Sequence, residues 1–370
     1  MRLARRVTGL RERLALRALP LATYAPQPML VTEAHEVRRP RHQVIDAHAH
    51  LGRWLTGGRA WLTPDVPALL TGMEEVGVSA MVNLDGRWGR ELDLNLDRYD
   101  RAHPGRFATF CHVDWAALAG DRADQVLERS LRDSAAQGAR GLKVWKDLGL
   151  QVRDGSGERV QPDDPRLDAL WAAAGELGLP VLWHVADPAA FFLPVDRRNE
   201  RFEELCRHPE WSHARRGPRA RVLLLEALER VVARHPATSF VVAHLGAAED
   251  LAWVRRLLER YPHVSVDIAA RLAEIGRQSR AASALLTAFP DRVLFGTDTF
   301  GVLDPTAHRT HYRLLETHDE HFPYSADRVP PQGRWAISGL GLSDDVLRAV
   351  YRGNAQRLLP GLLTEGPPSR

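Results

Sequence analysis

From Gln43 onward the chain alternates, eight times over, between a short β-branched or apolar run and a longer stretch with helical spacing. The candidate strands are 44–48, 80–84, 107–113, 141–145, 181–185, 239–244, 264–268 and 293–296. Continuous apolar runs of this length suit parallel strands covered on both faces. Eight strand–helix units predict an α/β fold, a closed (β/α)8 TIM barrel. An open doubly wound sheet is the alternative, but it usually has fewer units, and no GxGxxG follows the first strand.

Helix starts are marked between the runs. Thr63-Pro64 and Asp164-Pro165 each place a capping residue before a first-turn proline. Pro218 opens a segment carrying Leu223, Leu224, Leu228 and Val231; from Glu249, Leu251, Val254, Leu257 and Leu258 recur at helical spacing. Ser343 begins a final helix. Two stretches, 186–217 after the fifth strand and 299–341 after the eighth, are too long for plain connections and are expected to cover or build the active site. Residues 1–42, punctuated by Pro20, Pro26, Pro28 and Pro40, read as an N-terminal extension, and 43–370 as one barrel domain.

Composition excludes several classes. With 44% hydrophobic and 26% charged residues, the chain can bury a large core. The net charge of +3 is concentrated in the first twenty residues, and no basic stripe with interleaved aromatics follows, so nucleic acid is not expected as a partner. Cys111 and Cys206 form no CxxC pair, which fits a reducing, cytoplasmic setting. No apolar run reaches the about 18 residues of a membrane span. At the N-terminus, Arg5, Arg6, Arg11, Arg13 and Arg17 alternate with leucines and Val7. That pattern reads as an outer helix packed on the barrel or a sister subunit, in preference to a membrane-surface helix. A homo-oligomer acting on a small molecule is expected.

The first strand ends in Ile45-Asp46-Ala47-His48-Ala49-His50. Two residues apart on a strand, His48 and His50 share a side, which assigns Ile45, Ala47 and Ala49 to the helix side. Paired imidazoles at a barrel mouth chelate divalent cations, although an HxH pair alone is often an ordinary strand terminus. Polar groups at other strand ends strengthen the signal. His184 closes the fifth run, His244 the sixth and Asp298 the eighth, each after apolar residues where a polar group is costly unless used. All fall on the C-terminal face, where barrel enzymes hold their chemistry.

On 46–50, His184, His244, Gly296-Thr297-Asp298 and Gly353-Asn354-Ala355-Gln356-Arg357-Leu358, the chain resembles the amidohydrolase superfamily. It is most similar to the amidohydrolase-related branch, which also holds aminocarboxymuconate-semialdehyde decarboxylase-like enzymes. The resemblance spans about residues 43 to 360. It implies that His48, His50, His184 and Asp298 hold a zinc-like ion, that the ion acidifies its water, and that Asp298 accepts the water proton. His244 would polarise the reacting group or shuttle a proton.

In the fourth strand, Leu142 and Val144 are expected to face the helices, which turns Lys143 and Trp145 inward and leaves Lys146 with the helix-facing set. In two-metal relatives a carboxylated lysine here bridges the ions, with His244 among the second ion's ligands. The one-metal arrangement is preferred, with Lys143 meeting an acid or a substrate carboxylate. Trp145 offers a flat wall for a ring and Arg271 a partner for an anion. Arg197, Arg198 and Arg201 read as salt-bridging lid residues. The leading activity is hydrolysis of an amide, ester or lactone by metal-activated water. The alternatives are decarboxylation of an unsaturated or aromatic acid at the same metal, and a non-catalytic barrel.

Overall fold

In a computed structural model that describes residues 17–363, the eight expected strands are all present and all parallel. They are β1 (Val44–His50), β2 (Val78–Asn83), β3 (Phe107–Thr109), β4 (Leu142–Val144), β5 (Val181–Trp183), β6 (Phe240–Val242), β7 (Val264–Asp267) and β8 (Val293–Leu294). The chain beyond β8 continues as β9 (Thr299–Phe300), which pairs with β1. Two sheets result, in the orders β3-β2-β1-β9 and β4-β5-β6-β7-β8. Backbone hydrogen bonds join them at both seams. Lys143 N donates to Cys111 O at 2.8 Å on one side. Ala47 N donates to Phe295 O at 2.9 Å on the other. The TIM-barrel architecture expected from the alternation is therefore present.

Helices cover the outside. The principal ones are α1 (Val66–Val76), α2 (Gly89–Leu96), α3 (Ala123–Gln137), α4 (Asp168–Glu176), α5 (Phe202–Arg207), α6 (Gly217–Arg234), α7 (Leu251–Arg260), α8 (Leu272–Arg277), α9 (Ser279–Ala288), α10 (Pro305–Glu316), α11 (Asp344–Arg348) and α12 (Asn354–Leu358). Their apolar stripes meet the outward strand residues. Leu170 and Trp171 of α4 are buried in one cluster with Val181 and Trp183, and the rings of Trp171 and Trp183 stack at 5.0 Å. Burying one such large side chain stabilises the fold by about 1.5–3 kcal/mol.

A second, smaller cluster fills the barrel's lumen: Ile45, Ala47, Ala80, Val82, Ala108, Leu182, Val241 and Leu294, closed off by Ala355, Leu359 and Leu362. This corrects the sequence reading of β1. Ile45 and Ala47 face inward, while Ala49 joins the outer cluster. Between the pairs Asp46–Met81 and Ala49–Asn83, Ala47 and His48 of β1 oppose the single residue Val82 of β2. That extra residue is a bulge, and it reverses the alternation, so His48 and His50 point inward as well.

Other details differ from the sequence expectation. The α1 cap is Asp65, whose carboxylate accepts from Ala68 N at 2.9 Å, and not Thr63, which is buried and donates to Gly301 O. Asp164, by contrast, does cap, accepting from Arg166 N. Segment 299–341 is no open loop: it holds the 12-residue α10 and a hairpin of β10 (Phe322–Pro323) and β11 (Ala336–Ile337). The arginine–leucine pattern at 3–16 lies outside the described residues. The extension that follows runs largely without regular structure and is tied down by Arg334 on Tyr24 O, His35 on Asp319 and Arg41 on Glu316.

Candidate metal centre

Above the apolar lumen lies a tier of polar side chains contributed by the strand ends. Asp46 sets its frame. Buried completely, it accepts from His48 N at 3.1 Å, Thr297 N at 3.1 Å and the Thr297 hydroxyl at 2.5 Å, which fixes the end of β1 to the turn after β8. Asp298 N then donates to His48 O at 2.9 Å. Asp298 sits at φ 66° and His244 at φ 59°, left-handed conformations that cost a non-glycine residue about 1–3 kcal/mol. Such strain persists where the surrounding structure over-determines it, and here it aims both side chains into the barrel mouth.

Three donor atoms converge. His48 Nε2 lies 3.5 Å and His50 Nε2 3.3 Å from Asp298 Oδ1. The other ring nitrogens are committed: His48 Nδ1 donates to Asp267 at 2.9 Å and His50 Nδ1 to Asp85 at 2.8 Å. A carboxylate behind each histidine fixes the tautomer that leaves Nε2 as a lone-pair donor. His48, His244 and Asp267 also lie close together, but Asp267 already accepts from His48 Nδ1 and from the backbone N–H groups of His244 and Ala269. That second group is a hydrogen-bonded brace.

His184, immediately after β5, stands edge-on to His244 at 4.5 Å between ring centroids. Its Nε2 is buried without a hydrogen-bond partner, 3.5 Å from Asp187, and lies outside the His48–His50–Asp298 trio. Asp187 is itself held by Lys146 at 2.8 Å and His213 at 2.8 Å. Lys146 thus reaches the mouth and not the helices, because β4 ends at Val144 and strand alternation stops there. Lys143 projects inward, is 2% exposed, and places Nζ 3.4 Å from His48 Nε2. No carboxylate pairs with it among the described residues.

Burial and charge set the protonation pattern. Burial, then Lys143, drives His48 well below the ordinary histidine value. Burial, then the neighbouring His184, does the same to His244. Burial lowers His184 to about 4 and Lys143 to about 8. For His50 burial is outweighed by Asp85 and Asp298, which raise it to about 9. Asp298 stays well below the usual carboxylate range because His48 and His50 outweigh its burial.

The trio opens into a cavity of about 360 Å³. Its lining includes the aromatic side chains of Trp145, Phe191, Trp211 and Phe300 and the polar ones of Arg201, Glu204, Arg271 and Gln332. The Trp145 ring lies 5.0 Å from that of His50. Arg271 is 8% exposed, and among the described residues its only side-chain hydrogen bond goes to Ala270 O. Arg201 is fully buried between Glu204 and Glu274, while Arg197 and Arg198 are exposed. Sequence reasoning overlooked Asp85, although an acid directly after an apolar strand carried the same signal as Asp298. Glu204 and Gln332 carried no such signal.

A parallel α/β barrel with a buried histidine–carboxylate cluster at its strand ends defines a barrel enzyme of the kind that works at its C-terminal face. Residues 45–361 match the family model described as amidohydrolase, and the chain belongs to that family. No curated protein sequence matches it. Among solved structures it is similar to an uncharacterised TIM-barrel protein from Bordetella bronchiseptica (14% identity, TM-score 0.55, 86% of this chain and 99% of that one). It is also similar to 2,6-dihydroxybenzoate decarboxylase from Rhizobium (16%, 0.53, 86% and 98%). A third is an amidohydrolase from Burkholderia multivorans with bound zinc (18%, 0.50, 86% and 99%). At these identities the likeness concerns the fold. Among the described residues no helix is long and apolar enough to cross a membrane.

Proposed function

We propose that this chain is a metal-dependent hydrolase acting on an amide, ester or lactone in a small, carboxylate-bearing substrate, with its barrel over 43–370 and an extension over 1–42. The carrying observation is the convergence of His48 Nε2, His50 Nε2 and Asp298 Oδ1, each ring locked from behind by a carboxylate. This donor set suits one zinc-like ion. His184, whose buried Nε2 has no hydrogen-bond partner, is the fourth donor. A bound ion supplies Lewis acidity and a water ionised near neutral pH.

The residues of the chain do the rest. Asp298 accepts the proton released as the nucleophile forms. His244, kept neutral by burial, donates through Nδ1 to Ala269 O at 2.8 Å, which leaves its Nε2 lone pair to take up and pass on a proton beside the reacting group. Arg271 takes the substrate carboxylate, and Trp145 lies flat against the substrate body. One ion is preferred to two. The two-ion form needs a carboxylated Lys143 as a bridge and His244 as a ligand, and intact-mass measurement with metal counting distinguishes it. The aromatic walls favour a planar ring, which keeps decarboxylation of an aromatic acid as the second reading. A substrate panel scored for CO₂ release against water uptake separates the two.

Purified protein is expected to carry about one tight divalent ion per chain. Asp298→Asn is expected to fold and to lose turnover by about 10²–10³-fold. Metal-free native protein, or turnover surviving in Asp298→Asn, defeats the proposal.

A further inference from the structure

The cavity that holds the metal donors is also lined by side chains of both charges, Arg201, Arg271 and Glu204. Arg201 is shared by two acids, bonding Glu204 Oε2 through Nη1 at 2.8 Å and Glu274 through Nη2. Arg271, in the same cavity, pairs with no acid among the described residues. Glu204 is 7% exposed, and its Oε1 accepts no hydrogen bond among the described residues. Gln332 spends its amide N–H on Ala270 O at 3.0 Å, and no described residue donates to its Oε1. One guanidinium and two acceptors are thus left over in one cavity.

An unadorned carboxylate suits Arg271 but brings a like charge toward the buried Glu204, where repulsion is screened less than at the surface. A donor on the adjacent atom changes the balance, because Glu204 and Gln332 then gain a charge-assisted hydrogen bond in place of a repulsion. Burial raises the Glu204 carboxyl above its ordinary value, which marks a group poorly served by solvent.

We propose that Glu204 is a specificity-determining residue, and that this cavity recognises a carboxylate flanked by a hydroxyl or N–H donor, as in an α-hydroxy or α-amino acid. The proposal rests on the cavity being the substrate chamber. Arg271 reads the negative charge, and Glu204 with Gln332 reads the neighbouring donor. Substrates that lack the donor are refused at this end, whatever bond the metal end attacks.

The test is binding to the metal-loaded protein, followed by quenching of the cavity tryptophans Trp145 and Trp211. The probes are 3-phenyllactate, phenylalanine and 3-phenylpropionate, which share ring and carboxylate and differ in the adjacent donor. A hydrogen bond to a charged group contributes about 1.5–3 kcal/mol, so at least one donor-bearing acid should bind about tenfold or more tighter than phenylpropionate. Which of the two leads distinguishes hydroxyl from ammonium. In Glu204→Gln the preference should fall below about threefold, mainly because phenylpropionate gains affinity. Should that variant not fold, Gln332→Leu removes the second acceptor and should lower the preference in part. Equal binding of all three acids to the wild type, or a preference undiminished in the variant that folds, overturns the proposal. Arg271→Gln separates the layers of the argument: all three acids should weaken about tenfold or more, and no change there sinks the anionic-substrate reading itself.

Discussion

Two tiers of the same barrel contrast sharply. The lower lumen, built from Ile45, Ala47, Ala80, Leu182, Val241 and Leu294, is apolar and buried. The upper tier, a few residues further along the barrel strands, holds His48, His50, Lys143, His184 and His244, all buried, and the half-buried Asp298. Left-handed backbone occurs at His244, Ala270 and Asp298 in the upper tier, and at none of those lower-tier residues. The contrast teaches that fold and site rest on different physics. Below, stability comes from close packing. Above, desolvated polar groups and strained backbone are held against their own preferences by what lies beneath and behind them.

Leu182→Ala attacks the lower tier. Truncating a buried leucine costs about 2–5 kcal/mol, so denaturant unfolding should shift by that amount while folded variant keeps its metal stoichiometry. Loss of the ion from folded Leu182→Ala would show that the tiers are not separable.

Asp267→Asn attacks the upper tier from behind. Partners that orient metal-binding histidines typically contribute 10–100-fold in metal affinity, so competitive chelation should read a drop in that range with little change in unfolding. The amide can also donate to His48, which would present the wrong tautomer. An unchanged affinity would strip Asp267 of its positioning role.

The last effect is in acid, and it is the smallest per unit of the variable changed. Burial lowers His112 to about 3, and an unfolded histidine titrates near 6.5. Between these values the unfolded chain binds the extra proton, so stability falls as pH drops below about 6.5, by at most about 1.4 kcal/mol per unit for this group. His112→Gln should flatten the stability–pH curve of the metal-free protein over that window. An equally steep curve would assign the acid sensitivity elsewhere.

The barrel was legible in the sequence because eight buried parallel strands leave eight apolar runs, more than an open doubly wound sheet usually has. The family was legible from the strand-end polar residues and the C-terminal segment. What escaped notice depends on single-residue events. The inward turn of Ile45 and Ala47 follows from one extra residue in β1, which leaves no mark in the hydrophobic pattern. The arrival of Lys146 at the mouth follows from where β4 stops. Glu204 and Gln332 reach the cavity through the folding of long connections, whose paths no periodicity encodes. Asp85 was within reach, since acids after buried strands are costly unless employed.

The bulge in β1 divides one strand between two masters. Ile45 and Ala47 answer to their lumen neighbours, and their replacement is governed by volume. His48 and His50, one phase-step later, answer to chemistry. Loss of one residue from the bulge would restore strict alternation along β1 and is expected to turn both imidazoles toward the helices. The candidate metal centre therefore depends on the register of one strand as well as on the packing beneath it.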